Sequence, residues 1–126
     1  MNLYLVGDSE FVEHLSKIII DNLGNNNFGV NEFITATGLN RNYVSRRIKS
    51  IKKTTINQFM TEIRLEKARE FLLKGTYTAA EVSYNTGFRT PSYFNRCFHE
   101  YFGYTPGDIK KEQPIYLKAR FLTVKR

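Results

Sequence analysis

The chain has 126 residues, enough for one domain with short tails, and this length excludes a multidomain enzyme. Hydrophobic residues make up 41% of the chain and charged residues 25%, which is typical of a globular protein with a buried core. Nineteen lysines and arginines against twelve acidic residues give a net charge of +7, so acidic macromolecules are the expected partners.

The first half of the chain predicts three helices. An apolar stripe at helical spacing runs through the first helix, which ends at Gly24 before a run of three asparagines. A short second helix covers about Val30 to Thr37. It ends at Gly38, because glycine readily adopts the left-handed conformation that closes a helix. Asn40 then caps a third helix that reaches about Ile51.

Four more helices are predicted, and each begins after a capping threonine. These threonines are Thr55, Thr78, Thr90 and Thr105. Gln58 and Glu81 stand three residues after the first two of them, which is the spacing of a capping box. The helix behind the first cap is long and reaches about Lys74. Pro91 and Pro106 follow the last two caps at the first helical position, where the missing N–H of proline costs nothing.

The predicted fold class is all-α, with about seven helices, and the chain divides into three parts. Residues 1–9 form an N-terminal lead-in, residues 10–112 form the helical domain, and residues 113–126 form a basic C-terminal tail. Leu3–Val6 and Ile115–Val124 are rich in β-branched and aromatic residues, so both are expected to be extended. That these two segments pair with each other is a hypothesis.

The residue types present predict no metal site, no disulfide and no membrane-spanning segment. Cys97 is the single cysteine and cannot form an internal disulfide, and with His14 and His99 it offers no zinc-ligand spacing. We expect Cys97 to be a small hydrophobe on the buried side of its helix. The apolar runs fall far short of the roughly 18 residues of a membrane span, and no signal peptide is recognisable. The expectation is a cytoplasmic protein without a cofactor, a metal ion or a membrane contact.

A weak internal repeat relates the third helix to the sixth. Thr37 to Leu39 matches Thr86 to Phe88, and Tyr43 to Arg46 matches Tyr93 to Arg96. Each copy consists of a short helix, a glycine turn and a second helix, which is the outline of a helix-turn-helix. The long fourth helix joins the copies and would measure about 30 Å at roughly 1.5 Å per residue, comparable with the roughly 34 Å of one DNA turn. Two reading helices could therefore enter successive major grooves.

One face of each second helix is polar and rich in hydrogen-bond donors. On the third helix this face comprises Arg41, Asn42, Ser45, Arg46 and Lys49. On the sixth helix it comprises Pro91, Ser92, Asn95, Arg96 and His99. Arginine can bond guanine O6 and N7, asparagine can bond adenine N6 and N7, and serine adapts to either, so these faces suit the major groove of double-stranded DNA. Lys49 and His99 are expected to touch phosphate or solvent rather than bases.

The distribution of charge along the chain supports the same interpretation. Six cations and no carboxylate lie between Gly38 and Lys53, as expected for a surface that faces phosphates. The acidic residues Glu62, Glu66, Glu70 and Glu81 belong to the fourth and fifth helices, which would face away from nucleic acid.

The stretch from about Phe11 to Lys111 resembles the DNA-binding domain of the AraC/XylS family of bacterial transcription regulators. The resemblance depends on Arg64-Leu65-Glu66-Lys67-Ala68, Leu72-Leu73, Glu81-Val82, Gly87-Phe88, Ser92-Tyr93-Phe94-x-Arg96-x-Phe98 and Tyr101-Phe102-Gly103-Tyr104-Thr105-Pro106. It implies seven helices in two helix-turn-helix subdomains joined by the long helix. It also implies base-reading positions at Arg41, Asn42, Ser45 and Arg46 in the first reader, and at Thr90, Pro91, Ser92, Asn95 and Arg96 in the second.

The resemblance also carries implications for partners. Contacts with RNA polymerase would supply the transcriptional output, and one unit would read about two turns of DNA without a dimer. The isolated domain is therefore expected to be monomeric, and a longer protein to be dimeric only if a region outside this chain dimerises. The lead-in is similar to the segment that joins a regulatory region to this domain in two-component and hybrid sensor-regulators. From it we expect the chain to be the C-terminal part of a longer regulator.

Four positions depart from the family pattern. Lys53 and Ile56 stand where the family usually has a glycine and a proline, Ile109 stands where an aromatic residue is usual, and Ser83 replaces a common alanine. None lies on a reading face, so the departures bear on local loop geometry rather than on function.

Four other interpretations compete with DNA reading. Arg46 and Arg96 could be ordinary surface arginines, although their paired placement favours a function. A basic RNA-binding module would share the charge but would expose aromatic residues for stacking, whereas Phe94, Phe98 and the other phenylalanines sit at core spacing. A module that docks an acidic protein would show salt-sensitive binding without base-pair discrimination. An enzyme is not predicted, because the carboxylates are scattered and no catalytic motif is present.

Overall fold

The computed structural model describes residues 2–111, and the regular secondary structure in that range is entirely helical. The seven helices are α1 (Asp8–Asp21), α2 (Val30–Thr37), α3 (Arg41–Lys52), α4 (Ile56–Lys74), α5 (Ala79–Asn85), α6 (Pro91–Phe102) and α7 (Pro106–Lys111). The all-α prediction is thereby confirmed over this range.

One prediction for the N-terminal region is wrong, and one helix boundary is shifted by two residues. Leu3–Val6 is not extended, because the backbone folds back on itself and the Leu5 N–H donates to the Asn2 carbonyl at 3.0 Å. The first helix begins at Asp8, two residues earlier than residue 10. Acidic side chains in its first turn are favourable near the positive end of the helix dipole, which favours the earlier start, and the helix ends at Asp21 rather than at Gly24. The other segment expected to be extended, Ile115–Val124, and the tail lie outside the described residues.

The capping predictions are confirmed. Asn40 caps α3 by accepting the Tyr43 N–H at 3.2 Å. Thr55 and Gln58 bond reciprocally before α4, and the Thr78 and Glu81 pair does the same before α5. Thr90 accepts the Tyr93 N–H at 3.1 Å and places Pro91 at the start of α6. Thr105 makes an equivalent pair with Asp108 before α7. Local hydrogen bonds thus set the first residue of each of these helices.

The chain folds into two compact units, Met1–Arg64 and Leu65–Arg126, whose boundary falls within α4. The first unit packs α1, α2, α3 and the start of α4 around one apolar core. Its fully buried large side chains are Phe11, Leu15, Ile19, Phe33, Ile48, Phe59 and Met60. Their burial holds α3 with its apolar side inward and its opposite side toward solvent.

Aromatic rings form much of the core of the second unit. Phe88, Phe94, Phe98 and Phe102 are buried, with successive ring centroids 5.1, 5.6 and 4.6 Å apart. The prediction that these four phenylalanines are core residues is confirmed. Their continuous row orients α6, because three of the four lie on that one helix.

Two departures from the family pattern are accommodated inside this second core. Ser83 is fully buried, and its hydroxyl donates to the Ala80 carbonyl at 2.7 Å, so the site of an alanine holds a satisfied polar group. Ile109 is 3% exposed and belongs to the same core cluster, where it takes the place of an aromatic side chain. Neither substitution leaves an unpaired polar group in the interior.

Arg47 holds the lead-in against α3. Its guanidinium donates to the carbonyls of Leu3 and Val6 and, at 2.9 Å, to the Tyr43 hydroxyl. The same group lies 4.1 Å from the centroid of the Phe11 ring on α1. Only 15% of the Arg47 side chain is exposed, so this arginine is a structural clamp rather than a surface charge.

Candidate nucleic-acid interface

The first candidate reading face lies on α3 between two local constraints. Gly38 adopts a left-handed φ of 71° and ends α2, and Asn40 then caps the start of α3. The buried positions Val44 and Ile48 turn the opposite side of the helix to solvent. All five predicted residues on that side are exposed: Arg41, Asn42, Ser45, Arg46 and Lys49. The structure therefore brings the predicted set together on one accessible surface.

The second candidate face lies on α6 and has the same construction. Ser92, Asn95, Arg96 and His99 are exposed, and the phenylalanine row faces inward. Pro91 is half-buried and has no N–H, so it could offer a base only an apolar contact. Thr90 is exposed, but its hydroxyl oxygen already accepts the Tyr93 N–H as the helix cap. Thr90 can still donate its hydroxyl proton to a further acceptor.

The three candidate base-reading arginines differ in the contacts that their guanidinium groups make. Arg41 donates to the side-chain amide oxygen of Asn31 on α2. The Arg96 guanidinium lies 5.2 Å from the centroid of the Tyr93 ring. Arg46 makes no hydrogen bond, ion pair or ring contact with any residue in the part of the chain that the structure describes.

Arg47 corrects the charge argument drawn from the sequence. Of the six cations between Gly38 and Lys53, this one is turned away from solvent and committed to the lead-in. Five remain exposed, namely Arg41, Arg46, Lys49, Lys52 and Lys53. The last two are not among the residues predicted for the reading face, although the sequence argument counted them in the surface expected to face phosphates. Their position at the C-terminal end of an acid-free helix was the available signal.

Two charged residues of the family motif on α4 make structural contacts. Arg64 is half-buried and donates to the Phe28 carbonyl at 2.6 Å, and its burial lowers the pKa of its guanidinium. Glu66 bonds Arg69 at 3.0 Å and accepts the Tyr101 hydroxyl proton at 3.0 Å. These side chains fasten α4 within the first and the second unit respectively, so their role here is packing.

Within residues 2–111, the expectation that aromatic residues sit at core spacing holds for the phenylalanines, although Phe71 is only half-buried, but it does not hold for every tyrosine. Four tyrosines are between 41% and 47% exposed, namely Tyr4, Tyr77, Tyr84 and Tyr93. Tyr93 lies on α6 itself, where its interaction with Cys97 is the main cause that raises the pKa of its phenol. Cys97 is half-buried rather than fully inside.

Within residues 2–111, no group of three His, Cys, Asp or Glu side chains is placed to hold a metal ion. None of the helices in that range combines the length and the apolar content needed to cross a membrane.

Comparison with known proteins identifies the family to which this chain belongs. The family described as "Helix-turn-helix domain" matches residues 34–112, more than half of the chain. The chain is 34% identical over 103 residues to histidine kinase P4 of Formosa agariphila, and the match covers 82% of this chain and 8% of that protein. It is 31% identical over 96 residues to an HTH-type transcriptional regulator of Pseudoalteromonas carrageenovora, covering 76% of this chain and 57% of the relative.

Among solved structures, the fold resembles the C-terminal domain of AraT, a response regulator from Geobacillus stearothermophilus. The TM-score is 0.69 at 24% identity, and the match covers 81% of this chain and 84% of that one. At this identity the likeness concerns the fold. The family match, the two helix-turn-helix units and the AraC-like motifs agree, and the chain belongs to the AraC-type family of helix-turn-helix DNA-binding domains of transcription regulators.

Proposed function

We propose that this chain binds double-stranded DNA in a sequence-specific manner and thereby regulates transcription, with α3 and α6 as two readers in successive major grooves. The observation that supports this most directly is the matching pair of exposed, donor-rich faces, one in each unit. Family membership supports DNA binding and transcription regulation in general. The pairing of the faces supports the finer statement that both helices read bases.

Within each face, the side chains divide by what they can bond. Arg46 and Arg96 would bind guanine through two parallel N–H donors, and Asn42 and Asn95 would bind adenine. Ser45 and Ser92 adapt to either base, while Arg41, Thr90 and Pro91 sit at the helix starts that approach the groove edge. Lys49 and His99 would contact phosphate and help fix the register of the protein on the duplex.

The remaining parts of the proposal concern the protein beyond its DNA contacts. Residues 10–112 would act as the DNA-binding domain, monomeric when isolated, in the cytoplasm of a bacterium. RNA polymerase would be the partner through which binding changes transcription. The names of two similar proteins, a histidine kinase and a response regulator, support a place in a two-component pathway. We propose no catalytic role for the domain.

Selection of bound duplexes from a random DNA pool at about 150 mM salt tests the proposal, because nonspecific electrostatic binding is reduced there. Two short motifs about 10 base pairs apart are expected. Arg46→Ala should relax one position of one motif, and Arg96→Ala one position of the other, each at about 1–3 kcal/mol. Lys17→Ala is the matched control, because it removes an exposed cation from α1 and should leave the motifs unchanged.

Two outcomes would contradict the proposal. If either arginine variant weakens binding to specific and random DNA equally, that arginine contacts phosphate and does not read a base. If the unaltered chain enriches no motif and binds any polyanion in a salt-sensitive way, the protein is a basic helical module for RNA or an acidic protein. The exposed tyrosines would then be the first candidates for RNA stacking.

A further inference from the structure

The two readers carry the same short pattern but use it differently. Tyr43 and Arg46 on α3 match Tyr93 and Arg96 on α6 at a separation of 50 residues. On α6 the arginine guanidinium lies over the tyrosine ring, 5.2 Å from its centroid. On α3 the corresponding arginine has no partner in the part of the chain that the structure describes.

The ring of Tyr43 is already engaged by other groups. The Tyr4 ring from the lead-in packs against it with centroids 4.7 Å apart. Arg47 donates to its hydroxyl at 2.9 Å, and the Phe11 ring meets it edge-on at 6.2 Å. These contacts cover the tyrosine, so Arg46 extends from α3 without an aromatic support.

On α6 the residue in the position of Arg47 is Cys97. A thiol is too short to clamp a neighbouring segment, and the Tyr93 ring remains 42% exposed. Phe88 supports that ring from the core side, with centroids 6.2 Å apart. The ring is therefore held in place on one side and available to a guanidinium on the other.

A guanidinium that lies on a ring is still able to bind a base. The cation–π contact uses the planar face of the group, whereas its five N–H donors point outward in the plane. The two donors needed for guanine O6 and N7 thus remain accessible. Restricting the side chain before binding also lowers the conformational entropy lost when the complex forms.

We propose that Tyr93 is a positioning residue for DNA reading, which holds Arg96 in a pre-organised orientation, while Arg46 in the first reader stays free. This inference rests on the proposed function. Its consequence is an asymmetry, because the base pair contacted by Arg96 would be read more stringently than the base pair contacted by Arg46.

Binding of the whole chain to its selected operator, and to the operator altered at the Arg96 base pair, tests this. Tyr93→Leu should weaken operator binding by about 2- to 5-fold, the range of an exposed cation–π contact, and should reduce discrimination at that base pair. Tyr93→Phe keeps the ring and should therefore retain both operator affinity and discrimination at that base pair. Tyr84→Leu is the matched control, because Tyr84 is a 47% exposed tyrosine on α5 and forms no ring contact or hydrogen bond with Tyr93 or Arg96.

A double-mutant cycle separates positioning from structural support. In an Arg96→Ala background, Tyr93→Leu should cause no further loss, because the group that the ring positions is gone. An equal loss in both backgrounds would overturn the proposal and make Tyr93 a packing residue. Equal effects of the Phe and Leu variants would also overturn it, since the hydroxyl rather than the ring would then matter.

The outcome also distinguishes this inference from the proposed function itself. If the unaltered chain selects no motif, both fail together. If it selects a motif that Arg96→Ala relaxes and Tyr93→Leu leaves intact, DNA reading stands and only the positioning role is overturned.

Discussion

Replacing Lys53 by glycine should stabilise the first unit. Lys53 ends α3 with φ 62° and ψ 29°, and it is the only residue other than glycine with a positive φ in the described range. A side chain with a Cβ is strained in this left-handed conformation, whereas glycine is not. The family usually has a glycine at this position, where a left-handed residue ends the helix. The Lys53 N–H donates to the Lys49 carbonyl at 3.0 Å, a bond that glycine retains.

The size of the effect follows from three contributions. Relief of the left-handed strain contributes about 1–2 kcal/mol. The greater backbone freedom of glycine in the unfolded chain offsets about 0.4–1 kcal/mol of this. Loss of the bond from the Lys53 ammonium to the Ser50 carbonyl costs a few tenths more, since the side chain is exposed. The net gain expected for Lys53→Gly is about 0.5 kcal/mol, or about 2–4 °C in Tm for a unit of this size.

Lys53→Ala is the matched control, because it removes the same hydrogen bond but keeps the Cβ. We expect Lys53→Gly to exceed Lys53→Ala by about 0.5–1 kcal/mol in free energy of unfolding. Urea unfolding followed by circular dichroism measures the difference, and hydrogen exchange of the α3 amides assigns it to the first unit. Equal stability of the two variants would refute the reasoning, because it would mean that residue 53 is not left-handed in solution.

Three further predictions concern the clamp, the second core and a cap. Arg47→Ala should lower the stability of the first unit by about 2 kcal/mol and speed hydrogen exchange in the lead-in. Arg47→Lys should recover less than half of the lost stability, because an ammonium cannot reproduce the two-pronged hydrogen bonding of the guanidinium. Unchanged exchange in the lead-in would contradict the clamp. Phe98→Ala should lower the free energy of unfolding of the second unit by about 3–5 kcal/mol, because the side chain is fully buried in the middle of the ring row. Thermal unfolding measures this loss, and a loss under 1 kcal/mol would show that the row is loosely packed. Thr78→Ala should cost about 1 kcal/mol through loss of the α5 cap, with Thr76→Ala as a control that caps nothing.

Much of the fold could be predicted from the sequence, because the signals are local. A capping threonine and the residue three places on bond within one turn, so Thr55 and Thr78 mark helix starts without reference to the rest of the protein. Glycine at a left-handed turn is equally local, as Gly38 shows with its φ of 71°. Helical spacing likewise separates the polar face of α3 from its buried side.

The prediction for Leu3–Val6 and the estimate of exposed charge failed because both depended on contacts between distant parts of the chain. The segment Leu3–Val6 looks extended from its residue types, yet a buried Leu3 and the Arg47 clamp fold it against α3. The bonds of Arg47 span about forty residues of sequence, and no periodicity encodes them. The count of six cations between Gly38 and Lys53 overestimated the exposed charge for the same reason, because Arg47 is turned away from solvent.

By itself, the sequence determined the helices, their caps and the two polar faces, since each depends on residues a few positions apart. Only the tertiary structure decided how each repeated tyrosine is used. Tyr43 and Tyr93 occupy equivalent positions, but the lead-in covers the first and leaves its arginine free, while the second supports Arg96. The physical reason is that the face of a ring that is covered by one neighbour is not available to another, and the packing of segments distant in sequence decides which neighbour covers it.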